Sequence, residues 1–480
     1  MKKHARILAL LLVVSMAMAL FTACSNNAEQ KETEPTSAAD TTPGVTTPGE
    51  SETSTPAVDV SGYTFSIMGT DDVFPKTNED GTYANALAEE LAEQLAELED
   101  RLNITIEKRE FSGDKLETVT TAALSGDVLA DLLWMRHKEF WPAAKQNALL
   151  ALDDDRLVSV GLDSTDPSRW YQPAVNWSEL FGHTWGLRVA SKYVRMPSGY
   201  FIAFNKELCA AAGYPDMYSL VRNNEWNWDV YREIARKATI DSDADGIPDY
   251  WGTGATAWGN EAISNGVQFI GEVDGKWQMT IDSDAGIRAL QFLYDMNYGD
   301  GTRLDEGSGA CREAFANGTV AFSWCTMGHI NGVGETIYNS NHDYGIIPMP
   351  MGPDATQYYS MTNDLDAFVI QSAHKNLDKA VAIMNEWALI VNDEDSYLDI
   401  LDDGRCRTEE DRAMMVEYIL PNFAVNMAKM CDDVWAIVDE NDDGRGIISD
   451  VSYGGYTPQQ AIEAWKAPLN AALNDFFDQN

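Results

Sequence analysis

The chain predicts an α/β fold. From Gly62 onward, short β-rich apolar runs alternate with helical stretches, as strands and covering helices around a sheet require. At 480 residues it is about three times the usual domain length, which points to more than one lobe. Its composition is globular, 45% hydrophobic and 23% charged.

The elements follow in order. Tyr63-Thr64-Phe65-Ser66-Ile67-Met68 reads as a strand ending at Gly69. Leu87, Leu91, Leu95, Leu98 and Leu102 mark one face of an acidic helix. The stripe is too short for a coiled coil, so it predicts a helix docked on a sheet. Ile104-Thr105-Ile106 and Asp131-Leu132-Leu133-Trp134-Met135 are the next strands, the latter followed by Arg136, His137 and Trp141. Trp226-Asn227-Trp228-Asp229 opens a helix running to Lys237, with Asn227 as cap and Asp229 at the positive end. Ala321-Phe322-Ser323 is a further strand, and a helix is expected over Lys375–Val391. No repeat of fixed period occurs.

Charge excludes several functions. The chain has 34 Lys+Arg against 76 Asp+Glu, a net of −42. Such a surface repels phosphate backbones and anionic lipid, so neither nucleic-acid binding nor a polybasic membrane patch is expected. Beyond the N-terminus no apolar run is long enough to span a bilayer, which excludes a channel or permease.

The chain start has its own logic. Lys2, Lys3 and Arg6 precede an uncharged apolar run, Ile7 to Ala23, ending in Leu20-Phe21-Thr22-Ala23-Cys24. Residues 1–23 resemble a bacterial lipoprotein signal, in which Cys24 is diacylated and becomes the mature N-terminus. Phe21 departs from the Leu preferred three positions before the cysteine, and an uncleaved signal anchor is the competing reading. Residues 24–58 read as a tether: 25–58 hold eight Thr, four Ser, four Pro and six acids with no aromatic residue, too little to bury. The other five cysteines, Cys209, Cys311, Cys325, Cys406 and Cys431, form no C-x-x-C and no disulfide framework. A single bridge such as Cys406–Cys431 stays open.

Several further segments carry a resemblance. Leu124-Ser125-Gly126-Asp127 leads to Ala130-Asp131-Leu132-Leu133. Phe201-Ile202-Ala203-Phe204-Asn205-Lys206-Glu207-Leu208 is followed by Ala212-Gly213-Tyr214-Pro215, with Phe204 in place of a usual Tyr. After the Trp226–Asp229 helix start come Phe315-Ala316-Asn317-Gly318-Thr319-Val320-Ala321-Phe322, Tyr344-Gly345-Ile346-Ile347-Pro348-Met349-Pro350, and His374-Lys375-Asn376-Leu377-Asp378-Lys379-Ala380. In this order they resemble extracellular solute-binding proteins of ABC importers, the sugar-binding lipoproteins related to maltodextrin-binding protein.

That resemblance implies a type II periplasmic-binding-protein-like fold with a ligand cleft between lobes. The solute-binding domain would cover 59–480, lobe 1 taking 59–198 and 366–395, lobe 2 taking 199–365 and 396–480. The chain would cross just before Phe201 and again near Thr362–Asp366. The implied function is capture of a carbohydrate, an oligosaccharide by preference, by a lipid-anchored monomer at the extracellular face of the cytoplasmic membrane. Partners would be the permease subunits. A non-sugar solute, or an anchored glycoside hydrolase, is the alternative.

Enzyme signatures are absent. The six histidines (His4, His137, His183, His329, His342 and His374) show no zinc spacing, and no nucleophile elbow or P-loop occurs. Gly252-Thr253-Gly254 begins like a dinucleotide fingerprint but has Ala257 where the third Gly belongs. In a chain with this many acids, Asp364 and Asp366 are not diagnostic of glycoside hydrolysis.

Sugar sites stack pyranose faces on aromatic rings and fix hydroxyls with polar side chains, beyond strand ends at a lobe junction. Position therefore selects Trp134 with Arg136, Trp185 before the first crossing, Trp258 and Asn260 in a Gly-rich stretch, Trp324, Asn363 with Asp364 at the second crossing, and Asp71 after the first strand. No cofactor is required, and one acidic loop reads either as a structural calcium site or as a solvated acidic turn. Asp241, Asp243, Asp245 and Asp249 occupy positions 1, 3, 5 and 9 of an EF-hand-like loop, with Gly246 at the turn and the Ile247 carbonyl as a further ligand. A structural calcium is implied, although Gly252 stands where the bidentate Glu belongs. A second run, Asp439, Asn441, Asp443, Gly444 and Asp450, fits less well because Ile447 fills position 9.

Overall fold

A computed structural model describes residues 58–194, 197, 199–254, 259–332, 334–362, 364–402 and 404–478. The signal, Cys24 and the tether up to residue 57 lie outside them, as do Trp258 and Asn363. The described residues belong to the compact unit Ser54–Asn480.

Two sheets organise the chain. The first holds β1 (Thr64–Met68), β2 (Thr105–Arg109), β3 (Leu132–Arg136), β4 (Leu149–Leu150) and β12 (Asp366–Gln371), in the order β2-β1-β3-β12-β4. β1 runs parallel to β2 and β3, whereas β12 is antiparallel to β3 with Phe368 opposite Trp134. The second sheet has the order β10 (Tyr344–Ile347), β5 (Tyr200–Asn205), β9 (Val320–Thr326), β6 (Trp251–Thr253). A hairpin, β7 (Ile270–Val273) with β8 (Lys276–Met279), stands apart.

The leucine stripe forms the helix Ala86–Leu102, capped by Asn85, whose side chain accepts from the Ala88 amide at 2.9 Å. Leu91, Leu95, Leu98 and Leu102 are buried, each contributing about 1.5–3 kcal/mol, while Leu87 stays exposed. This helix packs on Leu377–Val391, which follows β12 of the first sheet. In the second lobe Asn227 caps Trp228–Ala238, accepting from the Val230 amide at 3.1 Å. Trp228 stacks on Phe292 with centroids 4.2 Å apart, and its neighbour Trp226 lies against Tyr231 and Phe322.

One buried acid ties the first sheet together. Asp131, just before β3, accepts from the Tyr63 hydroxyl at 2.6 Å, the Ser66 amide at 2.7 Å and the Ser66 hydroxyl at 2.8 Å. His374 Nε2 lies 2.9 Å from the same carboxylate. Burial pushes the Asp131 carboxyl up, but these bonds prevail and hold it below the usual carboxylate range.

The chain passes between sheets at two adjacent places. It leaves the first lobe after Val194 to enter β5, and returns from β11 (Ser360–Met361) through Leu365 to β12. The two crossings touch as an antiparallel bridge between Gly199 and Thr362. A Cβ at Gly199 would sit 2.2 Å from the Phe423 ring, so only glycine fits. Phe423 belongs to β13 (Phe423–Ala424), which pairs with β11. Residues beyond Asp393 pack mainly on the second lobe but also reach the first, where Phe181 stacks on Phe476 at 6.0 Å. Cys209, Cys311, Cys325, Cys406 and Cys431 are all free, buried thiols, so Cys406 and Cys431 are not bridged.

Candidate functional site

A cavity of about 580 Å³ opens between the two sheets, within the range of small-molecule clefts. The segment after β1 lines one wall with Asp72, Phe74 and Lys76, beside the first turns of Ala86–Leu102. Arg136 at the end of β3, Arg188, Lys192 and Tyr193 extend that wall. The facing wall is Thr326, Met327 and Gly328 at the end of β9, with Asn331, Ile400 and Arg405. Asp364 and Asp366 lie at the second crossing. The cavity therefore meets strand ends of both sheets where the chain switches lobes.

Its cations are held in different ways. Arg188 Nη1 donates to the Asp366 carbonyl at 2.7 Å, and its guanidinium lies 5.1 Å from the Trp134 ring centroid. Arg136 Nε stands 3.7 Å from Asp366 Oδ1. Lys192 Nζ is 2.8 Å from Glu90, whose carboxyl it holds below the usual range. Arg405 donates to Asn331 Oδ1 at 2.9 Å and to the Ile400 carbonyl at 2.8 Å. Near Asp364, burial pushes the Lys429 ammonium down, and the charges of Asp364 and Asp439 oppose that effect.

Of the residues selected from sequence, Arg136 and Asp364 line the cavity. The three described tryptophans do not. Trp134 is 4% exposed, wedged between Phe368 and Arg188. Trp185, 8% exposed, donates its indole N–H to the Leu180 carbonyl at 2.8 Å. Trp324, 6% exposed, directs its N–H toward the Tyr231 hydroxyl at 3.4 Å. All three face inward along their strand or turn and fill cores, the ordinary fate of a large ring. Asp71 is exposed and ion-paired with Lys108, while its neighbour Asp72 faces the cavity. Asn260 is buried, and its Oδ1 accepts from the Met361 amide at 3.0 Å, steadying β11 below the second crossing.

Sequence reasoning missed Phe74, Lys76, Arg188, Lys192, Tyr193, Thr326, Met327 and Arg405. Running the strand at Ala321 on to Thr326 would have moved the candidate from Trp324 to the residues at its end.

In the acidic loop, Asp241, Asp243 and Asp249 bring carboxylate oxygens within 4.8 Å of one another at the surface. Asp241 accepts from the Gly246 amide at 2.9 Å and Asp249 from the Ser242 amide at 2.8 Å. Asp245 is not in this group: its carboxylate accepts from the Ile247 amide at 2.8 Å. Ile247 itself is 66% exposed. The second run is closed off, because Arg445 and the Trp465 indole occupy the Asp450 carboxylate. It cannot supply the position-12 ligand.

No helix among the described residues is long and apolar enough to cross a membrane. No curated protein matches the chain in sequence. Among solved structures, the ABC substrate-binding protein Lmo0181 from Listeria monocytogenes, in complex with cycloalternan, is similar with a TM-score of 0.55. It is 17% identical, the match covering 87% of this chain and 100% of that one. Maltose-bound MalE3 of T. maritima has a TM-score of 0.53 at 17% identity, covering 86% of this chain and 100% of its own. UgpB from Mycobacterium tuberculosis, in complex with glycerophosphocholine, gives 0.55 at 17% identity, covering 81% and 94%. These likenesses establish a type II periplasmic-binding-protein fold. The family model for bacterial extracellular solute-binding proteins matches residues 75–388, which include strands of both sheets and both crossings, and the chain belongs to that family.

Proposed function

We propose that this chain is the substrate-binding component of an ABC importer, capturing a carbohydrate between its lobes and delivering it to the permease. The observation that carries this reading is the cavity between the sheets, at the strand ends and the lobe crossings, in a chain of this family. Arg136 and Asp364, with Phe74, Lys76, Tyr193 and Arg405, are the proposed ligand contacts. Phe74 and Tyr193 offer ring faces and the charged groups fix polar substituents. Binding proteins of this family act without turnover, and no catalytic role is proposed.

A thermal-shift screen over a carbohydrate panel tests this. A ligand at a hundredfold excess over its dissociation constant should stabilise the fold by about 2.7 kcal/mol. Hits among peptides alone would refute a carbohydrate ligand. The lipid on Cys24 and a monomeric state belong to the same proposal. A Cys24→Ala variant that stays in the wild-type membrane fraction would count against the lipid anchor. The loop at Asp241–Asp249 is proposed as a structural calcium site, remote from ligand capture.

A further inference from the structure

We propose that the captured solute is anionic: a saccharide bearing carboxylate or phosphate groups, held by the cations of the cleft. This deepens the proposed function and rests on the cleft being the ligand site. The chain is strongly acidic at −42, yet its cleft is not. Lys76, Arg136, Arg188, Lys192 and Arg405 line it, against Asp72, Asp364 and Asp366.

Several of these charges are already matched. Lys192 pairs with Glu90, Arg136 stands near Asp366, and Asp364 acts on Lys429. Lys76 and Arg405 are different. Among the described residues neither forms an ion pair with an acid, and the hydrogen bonds of Arg405 go to the neutral oxygens of Asn331 and Ile400. They come from opposite walls, Lys76 after β1 and Arg405 from the second lobe. A ligand oxyanion is the partner such an arrangement lacks, and one that reaches both cations would relieve their mutual repulsion as the lobes approach.

The rings argue the same way. Phe74 and Tyr193 are the aromatic residues among the described lining, few for a site that holds neutral sugars by stacking. Sugar hydroxyls can donate to carboxylates, but Lys and Arg only donate, so a cationic wall is better matched by acceptor oxygens.

Titration calorimetry of the full chain tests this with a trigalacturonate, its carboxyl-reduced neutral counterpart, glucose 6-phosphate and glucose. We expect a charged saccharide to bind at least about tenfold tighter than its neutral counterpart, with affinity falling as salt rises. Lys76→Gln and Arg405→Gln should each weaken the charged ligand about tenfold or more, and weaken its neutral counterpart by a smaller factor. Lys76 is exposed, so its variant stays informative if Arg405→Gln disturbs the second lobe. Preference for the phosphate over the uronate supports the inference and identifies the oxyanion source. Neutral saccharides binding as tightly as charged ones would overturn it while leaving the cleft reading intact. Binding of peptides and no saccharide would overturn the proposed function itself.

Discussion

Glu261 offers a stringent test of the buried electrostatics. It lies in the short helix Asn260–Ser264, 2% exposed, and neither carboxyl oxygen has a hydrogen-bond partner within bonding geometry among the described residues. Burial pushes its pKa from 4.5 up to about 8 and outweighs the opposing influence of the nearby Glu261 and Gly259 amides. In the folded protein it is therefore protonated at neutral pH, whereas in the unfolded chain it is ionised. Below the unfolded value both states hold the proton and nothing is lost. Between 4.5 and 8 the unfolded state releases it first, so stability falls as pH rises, and above the folded value the loss is complete. From pH 5 to pH 8 the decline attributable to this one group is about 2–4 kcal/mol, a large share of a typical folding free energy. In Glu261→Gln that decline disappears. The amide brings its own cost for unmet donors, about 1–3 kcal/mol, but that cost does not vary with pH. Urea titrations at pH 5 and pH 8 on both proteins isolate the difference. Parallel pH dependences would show that Glu261 is solvated or paired, and the reasoning would fail.

Other outcomes are expected elsewhere. Asp131→Ala should lower the urea-derived stability at neutral pH by about 2–4 kcal/mol, because Tyr63, Ser66 and His374 lose a shared buried acceptor. Because the Asp131 pKa is depressed, its contribution is present above about pH 4 and lost as pH falls. An acid-unfolding limb unchanged in the variant would contradict this. Gly199→Ala should cost about 1–3 kcal/mol from overlap with Phe423, measured as a fall in melting temperature that is smaller when made in a Phe423→Ala background than in the wild type. An equal fall in both backgrounds would place the strain elsewhere. Calcium should raise the melting temperature of the wild type but not of Asp241→Ala with Asp243→Ala. Equal responses in the two proteins would remove the loop as the site.

Much of the framework was legible because it depends on local pattern. The period of Leu91, Leu95, Leu98 and Leu102 specifies a helix face, and Asn227 ahead of Trp228 specifies a helix start. The cleft was harder. Trp134 and Trp324 looked like ligand platforms because aromatic rings at strand ends often are. Whether a ring faces the cleft or the core depends on strand parity and on partners such as Phe368 and Tyr231, hundreds of residues or many tens away. Arg405 has no local signature at all. It reaches the cleft because a late segment folds back beside Asn331.

The five thiols have a consequence for the protein's life outside the cell. All lie in or after the second sheet's segment of the chain, from Cys209 to Cys431, and the described part of the first lobe contains none. Burial raises the thiols of Cys209, Cys325, Cys406 and Cys431, Cys431 to about 11 and Cys406 to about 12, so these four offer almost no thiolate to an oxidant. That protection is geometric and lasts only while the second lobe stays shut. Each opening event exposes reactive sulfur, and mispairing among five cysteines leaves at least one over. Durability in an oxidising environment is then governed by how often that lobe opens, a rate rather than an equilibrium. Damage would accumulate on one side of the ligand cleft and spare the other.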